Sequence, residues 1–516
     1  MDLQRLLSAI HIQESKNHKD ETIDKIAYHS KECTSHSLFV CIKGYESDGH
    51  DYAEEAVKNG AVALVVERFL PELSIPQYLV EDGRVALGAL GDRFYNHPSR
   101  ELSIVGITAT NGKTSTTYMT HAIFEENNWY TGLIGTVMVK YGENTIPSTL
   151  TTPESLDLHG YFAKMKDENV SHVAMEVSSS AIDLKRVGSV DFNVVVFNNI
   201  GRDHIDLHGT FEEYFRIKSS LITNAKKHQF AVLNLDDKYS ASLTDKTEAS
   251  VVTYGIDNKE GHITCKDIDL SSARGNFTVV INKAFKTEKG VVMEPTEFDI
   301  ALSVAGYHAI YNALAAVTIG LISDVPIEVI QRALNNFKGV ERRFQIIYDR
   351  EFKVIDDYFV NKGSIDSTLK TLSKTDYSDL YIVYSLRGNR GKTINRENAM
   401  AIVSWAKTID IKKMIISLSK SHVTKKDAVL PEELELFIDI MKEHHIEIEV
   451  HEEIEEAIES SLKQVSSGDV ILLGGAQSMD FGAPTILNRI YEEYPELDKE
   501  ELFMPLEGRV TGKTVK

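Results

Sequence analysis

The chain has 516 residues, with 56 basic and 77 acidic side chains and a formal net charge of −21. Its composition, 42% hydrophobic and 26% charged, supports ordinary folded cores and excludes a disordered chain, and at roughly 150 residues per domain the length suggests about three domains. The acidity argues against nonspecific binding to nucleic acid, because the phosphates of nucleic acids attract a basic surface.

The first hundred residues predict a small α/β unit. Two apolar runs, at 37–42 and 61–66, indicate strands. The stretch 51–60 between them indicates a helix, with Gly60 just past its end as a C-cap.

The middle of the chain predicts a parallel sheet. The apolar run 103–107 leads through a Gly-containing loop into a helix, and the runs 172–177, 192–199 and 230–235 are continuous and apolar. Such runs are typical of parallel strands buried on both faces. The segment from about 250 to 303 alternates between apolar and polar residues and predicts antiparallel strands.

A third alternation of strands and helices begins near residue 343. Together these elements predict an α/β protein of three domains: a small α/β domain at 1–100, a central P-loop-type mononucleotide-binding sheet at 101–337, and a Rossmann-like α/β domain at 338–503. The remaining residues, 504–516, are predicted to be a polar tail.

The sharpest local signal is the loop from Thr108 to Thr114, which lies between a predicted strand and a predicted helix. Backbone N–H groups and the helix dipole at such a position favour an anion. Lys113 would neutralise phosphate charge, and the Thr114 hydroxyl would ligate Mg²⁺. The strict G-x4-GK[ST] spacing is not met, because Ile107 stands where the first Gly is expected. The strand–loop–helix context nevertheless favours nucleotide binding over a coincidental turn.

Three further features follow the loop. Glu176 ends one predicted strand, Asp203 and His204 follow the next strand, and Lys218 lies in a predicted helix. Each alone has a structural explanation: a capped strand end, a structural histidine, a solvated lysine. Because ligands bind at the carboxyl ends of parallel strands, we expect Glu176 and His204 to converge on the phosphate loop as Mg²⁺ ligands.

In their order along the chain, these residues resemble the Mur ligase family, and most closely its MurE branch, which joins an amino acid to a UDP-N-acetylmuramoyl dipeptide. The motifs that carry the resemblance are His29–Lys31, Asp48–His50, Gly106–Thr114, Thr151–Glu154, Glu176–Ser179, Arg202–His204, Lys218, Asn312 and Arg343. They cover roughly the first 345 residues of the chain.

The resemblance implies three sets of site residues. A UDP-sugar would contact Ser30, His50, Thr151, Thr152, Ser178 and Arg186. ATP would contact Thr110, Asn111, Gly112, Lys113, Thr114, Ser115, Asn312, Arg343 and Asp357. Mg²⁺ would be held by Thr114, Glu176, His204 and Lys218, with Lys218 carried as a carbamate, and the catalytic residues would be Lys113, Glu176, His204 and Lys218.

The resemblance weakens in the third domain. Val360 stands where the family has a His. Ser419–His422 stands where a diaminopimelate enzyme has Asp-Asn-Pro-Arg, and Gly475–Met479 stands where MurE has Gly-Lys-Gly-His-Glu. Losing that Arg and that Glu removes charge partners for a doubly zwitterionic amino acid, so we expect a substrate other than meso-diaminopimelate. The implied amino-acid pocket is Arg390, Ser419, His422, Gly475 and Met479.

The resemblance therefore implies an ATP-dependent amide ligase that works through an acyl phosphate on a UDP-N-acetylmuramoyl-peptide-like substrate and an amino acid, with Mg²⁺. Two alternatives stay open: a degenerate relative that only binds nucleotide or UDP-sugar, and a ligase like folylpolyglutamate or cyanophycin synthetase. The chain contains no apolar run of the roughly 20 residues that a membrane helix needs, and its N-terminus lacks a signal-peptide core. We expect a cytoplasmic monomer that does not bind nucleic acid.

Overall fold

The computed structural model describes residues 1–44, 47–202, 208–270, 275–304, 306–389, 391–425 and 427–512. Within these residues, the strands form one sheet of five, one of eleven and one of six strands, with a separate two-stranded ribbon. The predicted α/β class is confirmed. In the described part of the chain, no helix combines the length and the apolar character that a membrane crossing requires. The predicted domain limits near 100 and 338 fall between the sheets, and we keep them as proposed limits.

The N-terminal sheet has the order β1-β5-β4-β3-β2 and is parallel except for β1. Apolar side chains are buried on both of its faces. The strands are β1 (Glu14–Lys16), β2 (Lys25–Ala27), β3 (Ser37–Val40), β4 (Ala61–Val66) and β5 (Gln77–Leu79), and the helices are α1 (Leu3–Leu7), α2 (Ala53–Lys58) and α3 (Gly83–Phe94).

The central sheet has the order β18-β15-β14-β13-β12-β11-β6-β10-β7-β8-β9. Its strands are β6 (Ser103–Thr108), β7 (Thr131–Ile134), β8 (Met138–Tyr141), β9 (Asn144–Pro147), β10 (His172–Glu176), β11 (Val194–Phe197), β12 (Phe230–Asn234), β13 (Ser250–Tyr254), β14 (Ile263–Asp269), β15 (Gly275–Ile281) and β18 (Thr296–Leu302), with the ribbon β16 (Phe285–Lys286) and β17 (Val292–Met293) beside it. Its helices are α4 (Lys113–Glu126), α5 (Ser155–Asp167), α6 (Ser179–Asp183), α7 (Phe211–Thr223), α8 (Lys238–Ala241), α9 (Tyr307–Ile322) and α10 (Ile327–Asn335).

The middle of this sheet is parallel, as predicted, and β6 lies between β10 and β11. The prediction of antiparallel strands from about residue 250 is wrong for β13, which pairs in parallel with β12. The connection between them contains α8, and a long connection of this kind joins parallel neighbours. The antiparallel part begins where β14 pairs with β15.

The C-terminal sheet has the order β19-β20-β24-β21-β22-β23 and is parallel except for the edge strand β19. Its strands are β19 (Gln345–Asp349), β20 (Lys353–Asp357), β21 (Leu380–Ser385), β22 (Ile411–Ser417), β23 (Ile448–His451) and β24 (Val470–Gly475). Its helices are α11 (Lys362–Leu372), α12 (Lys392–Trp405), α13 (Pro431–Glu443), α14 (Ile454–Leu462), α15 (Gly482–Glu493) and α16 (Lys499–Phe503).

The segment 504–512 is not the polar tail that the sequence suggested. Arg509 is only 4% exposed, and its Nη2 atom lies 2.8 Å from Oδ2 of the fully buried Asp356. The segment therefore packs against the domain through a buried ion pair. Its polar composition hid this contact, because the anchor is a charge rather than an apolar side chain.

Candidate active site

The phosphate loop connects the end of β6 to the start of α4. Gly112 has a φ of +84°, and a side chain there would also collide with Oδ1 of Asn312. Glycine is therefore required at this point of the loop. The Asn312 amide accepts a hydrogen bond from the Thr116 hydroxyl (3.3 Å), so Asn312 lies against the loop at the start of α4.

Asn199, which sequence reasoning did not select, fixes the loop from the neighbouring strand. Its carbonyl accepts from the Thr110 N–H, its Oδ1 accepts from the Asn111 N–H, both at 3.0 Å, and its Nδ2 donates to the Asn111 carbonyl at 2.9 Å. Asn199 follows β11, directly beside β6. Its place immediately after a buried strand was the available signal.

The Lys113 side chain folds back onto its own loop. Its Nζ atom donates to the carbonyls of Ala109 (2.8 Å) and Thr110 (3.1 Å). Thr114 is buried and Ser115 half-buried in the first turn of α4. The loop thus combines a cation with N–H groups at a helix start, which suits it to an anionic phosphate.

Glu176, at the end of β10, is fully buried beside the loop. Its Oε2 accepts hydrogen bonds from the hydroxyls of Thr114 (3.0 Å) and Thr136 (3.1 Å), and its Oε1 accepts from the Thr136 N–H (2.8 Å). Thr136 is a second residue that sequence reasoning missed, because it follows a short strand and belongs to no charged or Gly-rich motif.

Lys218, on α7, is the third charged side chain at this edge. It is 1% exposed, and its Nζ atom donates to the Ala109 carbonyl (2.7 Å) and to the Thr108 hydroxyl (3.1 Å). Lys218 therefore contacts the beginning of the phosphate loop. His204 lies outside the described residues, so its predicted place among the metal ligands stays a prediction.

The oxygen donors at this edge fit the magnesium ion that the sequence implies. The Thr114 hydroxyl and the Glu176 carboxylate lie 3.0 Å apart, and Mg²⁺ in nucleotide sites is bound by one or two such protein oxygens together with phosphates and water. Among the described residues there is no group of three or more His, Cys, Asp and Glu side chains that could hold a metal.

Of the two predicted ATP residues in the third domain, one contacts the loop and the other is bonded within its own domain. Arg343 reaches across to donate from Nη2 to the Thr114 hydroxyl (3.2 Å), with its guanidinium 4.8 Å from the centre of the Tyr358 ring. Asp357 instead accepts from the Phe344 N–H (2.7 Å) and the Thr368 hydroxyl (2.5 Å). Burial raises the pKa of the Asp357 carboxyl, although these two hydrogen bonds oppose the shift.

Glu176 and its partners Thr114 and Thr136 are here called the Glu176 cluster. Four of the predicted UDP-sugar residues form hydrogen bonds that connect to this cluster. The Thr151 hydroxyl lies 3.1 Å from that of Thr136, and the Thr152 hydroxyl donates to the Glu176 carbonyl (2.9 Å). Thr152 in turn accepts two hydrogen bonds, from the Ser178 N–H at its hydroxyl (3.1 Å) and from Arg186 Nη1 at its carbonyl (3.1 Å).

Glu154, just after Thr152, joins Arg186 of the central domain to Arg84 of the N-terminal domain. Arg186 Nη2 lies 2.9 Å from one oxygen of Glu154, and Arg84 Nη1, on α3, lies 3.2 Å from the other. Arg84 was not selected from the sequence, because an arginine in a helix carries no local signal. The bridge joins the first two domains beside the Glu176 cluster.

Ser30 and His50 form hydrogen bonds within the N-terminal domain. The Ser30 hydroxyl donates to Glu55 (2.6 Å). The His50 ring contacts Asp48 through Nδ1 (2.5 Å) and accepts from the Glu67 N–H at Nε2 (2.9 Å). Although partial burial would raise the pKa of the Asp48 carboxyl, hydrogen bonds from His50 and Arg68 hold it well below its usual range. In the structure, His50 therefore connects Asp48 to the backbone of Glu67 within its own domain.

The predicted amino-acid pocket is only partly assembled. The Ser419 hydroxyl is fully buried and lies 3.0 Å from both the Ser385 and the Ser417 hydroxyls. His422 is bonded through Nε2 to Glu455 (3.0 Å) and stacks on the Phe481 ring.

Gly475 and Met479 complete the described part of that pocket. A side chain at Gly475 would press against Ser385 and against Met479 itself, whose own side chain is fully buried in the apolar core. The structure therefore places Gly475 beside the serine hydroxyls, whereas Met479 serves packing. Arg390 lies outside the described residues.

Comparison with known protein families decides the identity of the chain. The model described as Mur ligase family, catalytic domain, matches residues 22–95, the Mur ligase middle domain matches 107–320, and the Mur ligase, glutamate ligase domain, matches 342–477. The chain belongs to the Mur ligase family. The resemblance predicted from the motifs is confirmed, as is the predicted activity class: this Mur ligase is an ATP-dependent, ADP-forming acid–amino-acid ligase.

Similar Mur ligases include two named UDP-N-acetylmuramoyl-L-alanyl-D-glutamate–2,6-diaminopimelate ligase. The protein from Bacillus velezensis is 36% identical over 483 residues, covering 92% of this chain and 94% of that one. The protein from Halalkalibacterium halodurans is 40% identical over 375 residues, covering 72% and 74%. The chain is therefore MurE-like along nearly its whole length.

Solved structures support the three-domain Mur ligase fold. A diaminopimelate ligase structure aligns with a TM-score of 0.63 at 20% identity over 92% of this chain and 93% of that chain. MurF from Thermotoga maritima, in complex with ADP, aligns with a TM-score of 0.63 at 20% identity, covering 92% and 98%. At this identity the likeness shows the fold alone.

Proposed function

We propose that this Mur ligase joins an amino acid to the free carboxylate of a UDP-N-acetylmuramoyl dipeptide, as its MurE-named relatives do. The observation that carries the proposal is the Glu176 cluster. Through Thr114 and Thr136, the Glu176 carboxylate links the phosphate loop to the Thr151–Thr152 segment, which is the segment expected to contact the UDP-sugar. One buried side chain therefore joins the expected sites of the two anionic substrates.

The reaction would proceed in two balanced steps. A carboxylate oxygen of the dipeptide attacks the γ-phosphorus of ATP, forming an acyl phosphate and releasing ADP. The amine of the amino acid then attacks the acyl carbon, loses a proton and releases inorganic phosphate, which leaves an amide bond. The first step brings two anions together, so the site must neutralise negative charge.

The charge in the first step would be neutralised by side chains that converge on the loop. Lys113 would exchange its contacts with the Ala109 and Thr110 carbonyls for phosphate oxygens, and Arg343 would bind phosphate from the third domain. Bound Mg²⁺, held by Thr114 and Glu176, would supply Lewis-acid charge neutralisation. Since Arg343 and Lys113 belong to different domains, binding both to one nucleotide would close the domains over it and exclude water.

We extend the proposal to a carbamate on Lys218. The modification would turn a buried cation into a carboxylate-like group beside the loop, and the remaining N–H could keep the contact with the Ala109 carbonyl. Together with Glu176 this would give the edge a second anionic oxygen ligand. Because the carbamate would itself be an anion on a side chain that is 1% exposed, it would need bound Mg²⁺ as its counter-charge.

The amino acid that we propose for this chain differs from the one in the names of its relatives. Those proteins are named diaminopimelate ligases. Here Ser419 presents a buried hydroxyl beside that of Ser385, and the histidine of the segment, His422, is already bonded to Glu455. The Ser419–His422 segment has no arginine where a diaminopimelate enzyme has one to pair with a distal carboxylate, so we propose an amino acid other than meso-diaminopimelate.

The decisive experiment is ADP release from UDP-N-acetylmuramoyl-L-Ala-D-Glu, with a panel of amino acids that includes meso-diaminopimelate. We expect release with the dipeptide and at least one amino acid, and none that depends on diaminopimelate. Robust diaminopimelate-dependent release would overturn the proposed amino-acid choice but not the ligase reaction. No release with any amino acid, from protein that still binds ATP, would favour a nucleotide-binding relative that has lost activity.

A further inference from the structure

Residues 504–512, here called the C-terminal strap, run along the segment 338–345 that links the central and C-terminal domains. The Gln345 amide donates to the Pro505 carbonyl (2.8 Å). The Val510 N–H donates to Oε2 of Glu341 (2.9 Å). The strap therefore holds the linker at both of its ends.

Between these two anchors lies a buried ion network. Asp356 is fully buried, with Oδ1 lying 3.4 Å from Nε of the linker residue Arg342 and Oδ2 lying 2.8 Å from Nη2 of the strap residue Arg509. The same Arg509 atom donates to Gln345 at 2.5 Å. Arg342 also donates to the Ala476 carbonyl (2.8 Å) and to Asp480. One carboxylate thus joins the linker to the strap.

Burying three charged groups is costly and adds little stability on balance. Such a network is better suited to fixing one geometry than to strengthening the fold. The linker geometry needs fixing, because Arg342 has a φ of +58° and Phe344 a φ of +48°. Residues other than glycine persist in this left-handed region only where their surroundings hold them there.

Arg343 stands between those two residues, and its guanidinium reaches Thr114 on the phosphate loop. We infer that the C-terminal strap positions Arg343 for the nucleotide, with Arg509 as the positioning residue that acts through Asp356 and Arg342. The inference rests on the proposed nucleotide contact of Arg343. Arg509 itself contacts Asp356 and Gln345, so its effect on the phosphate loop would pass through the linker.

The test is the affinity of the full-length enzyme for a non-hydrolysable ATP analogue, measured by calorimetry in Arg509→Met, Arg509→Lys, Arg343→Met and the double variant. Arg489→Met is the matched control, since Arg489 is exposed on α15 and pairs with Glu492 of the same helix. Hydrogen exchange over residues 340–345 reports the linker directly. If Arg509→Met folds poorly, Glu341→Gln replaces it in the test, because it weakens the bond between Glu341 and the Val510 N–H without removing a buried charge pair.

We expect Arg509→Met to weaken binding of the ATP analogue about tenfold, as the loss of one charge-assisted contact would. Arg509→Lys should retain part of the affinity. The double variant should bind no more weakly than Arg343→Met, and exchange at 340–345 should rise in Arg509→Met but not in Arg489→Met.

Weakened binding in Arg343→Met with unchanged binding in Arg509→Met would overturn the positioning role and leave the proposed function intact. Unchanged binding in Arg343→Met would contradict the nucleotide role of Arg343 itself. Effects of Arg343 and Arg509 that simply add in the double variant would also count against the inference, since independent sites are additive.

Discussion

The carboxyl edges of the central and C-terminal sheets are built on the same plan and filled with different side chains. Each edge is formed by the carboxyl ends of parallel strands, which is where ligands bind in α/β folds. The central edge buries two charged groups, Glu176 and Lys218, against a loop that carries Lys113. The C-terminal edge buries a carboxylate, that of Asp357 at the end of β20, and the hydroxyls of Ser417 and Ser419. On the proposed function, the difference would separate phosphate chemistry at the central edge from the choice of amine at the C-terminal edge.

The largest expected effect is at the central edge. Lys113→Ala removes the ammonium that would neutralise phosphate charge in the first step, and the rate of ADP release should fall by about 10²-fold or more. Lys166→Ala is a suitable control, because Lys166 lies partly exposed on α5 and pairs with Glu101. Turnover near the wild-type rate in Lys113→Ala would break the assignment of the phosphate loop.

Lys218→Ala should reduce turnover by a similar order, about 10²-fold, because the carbamate would be lost as a metal ligand. A short-chain carboxylic acid in the buffer should restore part of this activity, since it can occupy the space of the carbamate. The same acid should not rescue Lys113→Ala. NMR of the wild-type enzyme with isotopically labelled bicarbonate gives a readout independent of turnover, and an active enzyme with no carbamate signal would contradict the modification.

The central edge also shows what the sequence could and could not predict. Lys113 and Thr114 were predictable because a phosphate loop is contiguous, with a strand before it and a helix after it. Thr136 and Asn199 were not, because an ordinary threonine or asparagine acquires its role only when the fold places it beside Glu176 or Asn111. The same reasoning explains the strap, whose polar sequence concealed the buried pairing of Arg509.

Thr136→Val tests one of these unpredicted residues. The valine keeps the backbone N–H that bonds Glu176 but loses the hydroxyl, which donates to Oε2 and lies 3.1 Å from Thr151. A lost hydrogen bond to a buried carboxylate should slow ADP release about tenfold. Thr136→Ser retains the hydroxyl and should remain close to wild type. Equal losses in both variants would show that packing, rather than the hydroxyl, supports Glu176.

The smallest expected effect belongs to the C-terminal edge and would sharpen the comparison most. His422 lies at the predicted pocket, bonded to Glu455 and stacked on Phe481, and is remote from the phosphate loop in sequence and domain. His422→Ala should therefore raise KM for the amino acid a few-fold while leaving KM for ATP unchanged, because only uniform binding of one substrate is lost. His451→Ala breaks a similar histidine–glutamate pair on β23 and provides the control. If His422→Ala instead lowered kcat for every amine without a change in KM, the residue would act on the chemistry, and the separation between the two edges would fail.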